Sequence, residues 1–194
     1  MNLPNKLTLL RVILVPVFVL CFYLPFPGHY LLATLVFVGA SVTDAVDGHM
    51  ARKYHLVTDF GKFLDPLADK VLVVTALACF LERQWLNIVV FLLIVAREFM
   101  VSALRLVVSN KGTVMAAGFA GKLKTAFTMV AIIAQLCYVS FREDFHAFSL
   151  QLPQGVYTGI EIFLQVLFWV AAALTVYSGA VYLKQHWGDI DPNQ

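Results

Sequence analysis

Long apolar runs separated by short polar ones set the pattern of this chain. The first uncharged stretch runs from Val12 to Thr43. That exceeds the roughly 20 apolar residues one spanning helix needs. Pro25, Pro27 and Gly28 interrupt it, and a proline-glycine cluster ends helices by removing backbone donors and freeing the backbone. Two helices are therefore predicted, over 7–24 and 30–52. Four further apolar segments predict helices over 60–81, 85–108, 121–141 and 157–183. The fourth of the six carries Arg97 and Glu98 within it. The longest predicted connection is 142–156, with Pro153 and Gly155. The reading is an all-α, polytopic integral membrane protein with six transmembrane helices, forming a single domain over 1–194.

Composition agrees. Of 194 residues, 60% are hydrophobic and only 13% charged, with mean hydropathy +0.80. Soluble domains average about 45–50% apolar and about 25% charged, so an ordinary soluble domain is excluded, and so is disorder. A net charge of +2 gives no argument for nucleic acid, but its placement is informative. Six spans put both termini on one side, together with Lys6, Arg11, Arg52, Lys53, Lys62, Arg105, Lys111, Lys122, Lys124 and Lys184. The other side keeps Arg83 and Arg142. By the positive-inside rule both termini are expected in the cytoplasm. Lys6 and Arg11 before an apolar run imitate a signal peptide. The run ends in Phe22, Tyr23 and Leu24 without a small-x-small site, so helix 1 is expected to be retained. Cys21, Cys79 and Cys137 stand singly and are read as packing residues. The five histidines form no i, i+4 pair.

Acids inside spans are expensive and mark functional positions. Asp44 and Asp47 stand three apart near the end of helix 2, and Asp65 and Asp69 four apart near the start of helix 3. Each pair shares one helical face. A short connection brings the two helix ends to one side, where all four carboxylates can converge. Four such groups cannot all stay ionised without a cation. Hard oxygen donors suit two divalent ions, Mg²⁺ or Mn²⁺. The alternative is a set of helix-end carboxylates paired with Arg52, Lys53, Lys62 and Lys70. Gly48, Ala51 and Gly61 leave room for a flat group against the backbone, or serve close helix packing. Arg52 offers a bidentate fork to a phosphate.

From Asp44 to Asp69 the chain reads D-x-x-D-G-x-x-A-R-x8-G-x3-D-x3-D. This resembles the signature of the CDP-alcohol phosphatidyltransferase family at every fixed position. The resemblance implies a six-helix fold and transfer of a phosphatidyl group from CDP-diacylglycerol to an alcohol, with release of CMP. It also implies that Asp44, Asp47, Asp65 and Asp69 ligate two divalent ions and that Asp69 acts as general base. Gly48, Ala51, Arg52, Gly61 and Thr58 resemble positions touching the CDP group. Asn5 and Thr8, in Asn5-x-x-Thr8-x-x-Arg11, resemble an N-terminal element of the same pocket. A plainer reading has Asn5 cap helix 1 and Arg11 snorkel to headgroups. By the same resemblance a homodimer among membrane lipids, in a bacterial inner membrane, is expected, and the positive-inside count puts the active site on the cytoplasmic side.

The signature leaves the acceptor open. Arg105 falls near the cytoplasmic end of helix 4, with Arg97 roughly 12 Å deeper and about 80° away on the wheel. Lys122 and Lys124 open helix 5. Arg97, Arg105, Lys122 and Lys124 together predict a site for the phosphate of an acceptor such as glycerol 3-phosphate. Against this, the lysines fit the positive-inside rule, and Arg97 can pair with Glu98. The segments 96–105, 121–125 and 64–70 resemble the bacterial branch of the family whose acceptor is glycerol 3-phosphate. Ser41 and Ser102 lack a histidine partner in the sequence, so direct transfer is expected rather than a covalent intermediate. Serine, inositol phosphate and phosphatidylglycerol remain alternative acceptors. A divalent-cation transporter is a further alternative, although it calls for polar residues at mid-membrane in several helices.

Overall fold

The computed structural model describes residues 3–54, 59–110, 118–144 and 153–186. The side chains of 3–8, 44–54, 59–69, 106–107, 109–110 and 186 lie outside that description. Among the described residues the chain is all-helical. The six helices are α1 (Leu3–Tyr23), α2 (His29–Tyr54), α3 (Asp59–Glu82), α4 (Ile88–Asn110), α5 (Phe119–Val139) and α6 (Gln154–His186). A π-helical turn, Ser140–Asp144, extends α5.

The predicted helices are all present, and the boundaries move for local reasons. Helix α1 begins four residues earlier than expected, with Pro4 in its first turn, where the missing proline N–H is not needed. Helix α4 begins at Ile88 rather than 85. The Asn87 side-chain oxygen accepts the Val89 N–H at 2.8 Å, so Asn87 caps the helix start. Just before it, Gln84 takes a left-handed conformation, φ 61°, and its N–H bonds the Leu81 carbonyl. The long connection expected over 142–156 is shorter: 142–144 belong to the π-helical turn, and α6 starts at Gln154, directly after Pro153. The tail beyond His186 lies outside the described residues.

Hydroxyl side chains within these apolar helices bond their own backbone. Thr34, Ser41, Thr43, Ser102, Thr125, Thr128 and Thr175 each donate to the carbonyl four residues earlier, at 2.6–3.0 Å. A hydroxyl without a partner is costly in an apolar medium, and this bond removes the cost without a second helix.

The chain divides into two compact units, Met1–Phe80 with Ile132–Val156, and Leu81–Ala131 with Tyr157–Gln194. The first unit holds an aromatic core. Phe22 packs within 5.9 Å of Phe18, within 5.4 Å of Tyr30 and within 6.2 Å of Phe80, while Phe18 reaches Phe37 at 5.9 Å. Phe18, Phe22, Phe37 and Phe80 are fully buried. The α1–α2 turn closes through Gly28, whose φ of 81° suits glycine. The start of α2 is capped from a distance. Asp144 accepts the Leu31 N–H at 2.6 Å and a bond from Ser140 Oγ at 3.4 Å. His29 lies in this region with its ring against Tyr30, a packing role.

In the second unit, Val90, Ile94, Arg97, Val101, Leu104 and Val108 are the buried positions of α4. Their alternating spacing of four and three is one helical face. Leu164, Phe168, Ala171, Thr175, Ser178 and Tyr182 form the matching buried face of α6. Gln165 donates to the Trp85 carbonyl at 2.8 Å, and Ser178 meets Arg97. Helices α4 and α6 therefore run parallel.

Among the described residues two helices are long and apolar enough to cross a membrane, Phe119–Asp144 and Gln154–Gln185; Leu9–Tyr23 and His29–Thr43 are shorter apolar helices. Helix α6 turns Ile162, Phe163, Val166, Trp169, Val176 and Tyr177 outward. So continuous an apolar surface suits lipid rather than water. Cys21 and Cys79 are buried as expected of packing residues, but Cys137 is exposed on α5. An exposed, weakly polar thiol suits such an apolar exterior as well as an interior.

Candidate active site

The two acidic pairs lie on continuous helix. Asp44 and Asp47 are in the second half of α2, and Asp65 and Asp69 are in the first half of α3. At 1.5 Å per residue, Asp44 is about 15 Å and Asp47 about 10 Å before the end of α2. Asp65 is about 9 Å and Asp69 about 15 Å after the start of α3. Helical backbone at these positions places each pair on one face. Gly48, Ala51 and Arg52 belong to α2, Gly61 to α3, and Asn5 and Thr8 to the first turns of α1. The side chains of all these residues, and Thr58 altogether, lie outside the described residues. Among the described residues no three His, Cys, Asp or Glu side chains gather, and the side chains of the four aspartates are not among those described.

The cationic residues are in the second unit, with their side chains described. Three elements meet there: α4 from Arg97 to Arg105, the start of α5 and the end of α6. Arg97 is 7% exposed. It donates from one terminal nitrogen to Ser178 Oγ at 2.6 Å and lies 3.7 Å from Glu98. Its Nε–H is buried without a hydrogen-bond partner among the described residues. Glu98 also pairs with Lys124, which is itself 6% exposed. One carboxylate thus serves two buried cations. Removing charges from water is costly, and this pairing is what makes their burial tolerable.

Arg105 is exposed and donates to the Tyr182 hydroxyl at 3.1 Å. The Gly118 N–H donates to the same oxygen at 2.9 Å. Both guanidiniums lie over the Tyr182 ring, Arg97 at 5.6 Å and Arg105 at 5.5 Å from its centroid. Among the described residues Arg105 has no carboxylate partner. Lys122 is exposed in the first turn of α5.

The structure therefore brings Arg97, Arg105 and Lys124 into one cluster, with Lys122 two residues from Lys124. Glu98 engages Lys124 and Arg97, and the least compensated charge is on Arg105. Sequence reasoning missed Ser178, Gly179 and Tyr182. Their signal was a polar pair four residues apart at the end of an apolar helix, on a face that only packing identifies. Ser41 and Ser102, considered as nucleophiles, both donate to backbone carbonyls of their own helices.

Comparison with known proteins shows the family. A model of the CDP-alcohol phosphatidyltransferases matches residues 1–177. A Bacillus subtilis protein named CDP-diacylglycerol–glycerol-3-phosphate 3-phosphatidyltransferase is 38% identical, covering 96% of this chain and 95% of its own. Proteins of the same name from Rickettsia bellii and Haemophilus influenzae are 37% and 38% identical. They cover 94% and 99% of this chain and 94% and 97% of their own lengths.

Proposed function

Because the chain belongs to the CDP-alcohol phosphatidyltransferase family, we propose that it transfers the phosphatidyl group of CDP-diacylglycerol to glycerol 3-phosphate, releasing CMP. The relatives named for this reaction match nearly the whole chain. The observation that carries the acceptor is the cation-rich end of the second unit. Arg97 and Lys124 share one carboxylate there, and Arg105 shares the Tyr182 ring with Arg97, an excess of positive charge that suits a phosphate dianion.

The donor end is argued from register. Residues 54 and 59 are joined by five Cα steps, so they lie at most about 19 Å apart. Folded back as a hairpin, α2 and α3 put Asp44 level with Asp69, and Asp47 level with Asp65, by the depths given above. Four hard carboxylate donors at two matched levels fit divalent ions. Asp44, Asp47, Asp65 and Asp69 are the residues that would hold them. A divalent ion bound there supplies neutralisation of charge on the diphosphate oxygens. Arg52, one turn beyond Gly48, supplies a fork for a phosphate oxygen. Gly48, Ala51 and Gly61 leave room for the nucleotide, with Thr58, Asn5 and Thr8 around it.

In the reaction, Asp69 accepts the proton of the acceptor's primary hydroxyl. The hydroxyl oxygen attacks the phosphorus that bears diacylglycerol, the phosphoanhydride P–O bond breaks, and CMP leaves. The acceptor's own phosphate is held by Arg105 and Lys122, with Arg97 and Lys124 behind them. The lipid tails stay in the bilayer throughout. The protein is membrane-embedded. On our reading it crosses the membrane six times as one domain over 1–194, forms a homodimer, and keeps its termini and active site on the cytoplasmic side of a bacterial inner membrane.

The test is product identity. Purified protein in lipid nanodiscs receives CDP-diacylglycerol with glycerol 3-phosphate, serine, inositol phosphate or phosphatidylglycerol, and the product lipid is read by mass spectrometry. Phosphatidylglycerophosphate from glycerol 3-phosphate alone is expected. A product formed faster from another acceptor overturns the assignment.

A further inference from the structure

Residues 178, 179 and 182 fall beyond the stretch that matches the family, which ends at 177. They nonetheless shape the surroundings of both arginines. Ser178 takes a bond from Arg97 at 2.6 Å. Gly179 makes space for the stem of the same arginine, because a Cβ there would meet Arg97 Cγ at 3.1 Å and Met100 Cε at 3.4 Å. Tyr182 accepts bonds from Arg105 and from the Gly118 N–H, and its ring carries both guanidiniums. A Cβ on Gly121 would come within 3.4 Å of that ring, so the first turn of α5 lies directly against it.

From this arrangement we infer that Tyr182 is a positioning residue that aims Arg105 at the acceptor phosphate and ties the start of α5, with Lys122, to the same spot. The inference rests on the reading of this cluster as the acceptor site. The physical need is clear. Arg105 and Arg97 are two turns apart on α4, and both lie within 5.6 Å of the ring centre, so their charged carbons are at most about 11 Å apart. Two like charges at that distance repel, and an exposed arginine has many rotamers. The π face of one aromatic ring attracts both cations. The phenolic oxygen, fixed by a backbone N–H on one side, selects one direction for the Arg105 fork. An arginine held before the ligand arrives loses less entropy on binding, and the gain appears as affinity. Tyr182 thus acts through Arg105 without having to touch substrate.

Three variants test this: Arg105→Ala, Tyr182→Phe and the double variant. The KM for glycerol 3-phosphate, the KM for CDP-diacylglycerol and kcat are measured on purified protein in nanodiscs. Tyr182→Phe keeps the ring and loses one charge-assisted bond, which corresponds to about a tenfold rise in the KM for glycerol 3-phosphate. The KM for CDP-diacylglycerol and kcat stay within about twofold of their starting values, a split that general loosening of the helices does not produce. In the double variant the tyrosine change adds less than it does alone, because its route through Arg105 is gone and only its tie to the start of α5 remains. Gly179→Ala reaches the cluster through Arg97 and is expected to raise the same KM. If Arg105→Ala raises that KM and Tyr182→Phe leaves it unchanged, the tyrosine's role is refuted while the acceptor site stands. Additive effects, or equal rises in both KM values, also refute it. If Arg105→Ala itself leaves the KM for glycerol 3-phosphate unchanged, the acceptor site is misplaced and the inference falls with it.

Discussion

Glu98→Ala is expected to be the most damaging single substitution in the second unit. The side chains of Lys124 and Glu98 are 8% and 17% exposed, and that of Arg97 is 7% exposed. Deleting the carboxylate removes the anion that Lys124 shares with Arg97 and leaves Arg97 with its Ser178 bond and its place over the Tyr182 ring among the contacts described. Removing one partner of a buried ion pair costs about 3–5 kcal/mol. For a chain of this length each kcal/mol lowers the Tm by roughly 2–4 °C. The drop is therefore on the order of 6–20 °C, read by scanning fluorimetry of the purified protein in detergent. Glu98→Leu combined with Lys124→Met removes both charges and keeps volume, so it is expected to recover much of the loss, since a buried pair contributes little over apolar packing. A Glu98→Ala protein that melts within about 2 °C of the parent refutes the idea that this carboxylate compensates buried cations. A double variant less stable than Glu98→Ala refutes the desolvation argument.

Asp69→Asn is expected to abolish turnover while CDP-diacylglycerol still raises the Tm; parental turnover removes Asp69 from the role of base. Chelation with EDTA is expected to stop the reaction, and added Mg²⁺ or Mn²⁺ to restore it; full activity in chelated solution rules out divalent ions at the aspartates. Asp144→Ala removes a cap on α2, where the Leu31 N–H is bonded at 2.6 Å. Its expected cost is about 1 kcal/mol, or roughly 2–4 °C in Tm, with KM values unchanged. A KM change there refutes a purely capping role.

What could be read from the residues alone is whatever is local along the chain. Hydropathy decides which segments must satisfy every backbone group internally, so the six helices are legible from apolar runs cut at Pro25, Pro27 and Gly28. The aspartate signature is legible for the same reason: its spacing lies within two adjacent helices and one short connection. The start of α4 at Ile88 differs from the expected 85 by about a turn because a single capping side chain, Asn87, decides it. Packing alone decided the cationic cluster. Arg97 and Ser178 are 81 residues apart, and Arg105 and Tyr182 are 77 apart. Nothing in the order of residues says that α4 and α6 run side by side, or which face each turns inward. Nor does sequence distinguish an exposed lysine such as Lys122 from a buried, paired one such as Lys124. That difference arises from one carboxylate on α4 meeting the next turn of α5, a contact only the folded chain makes.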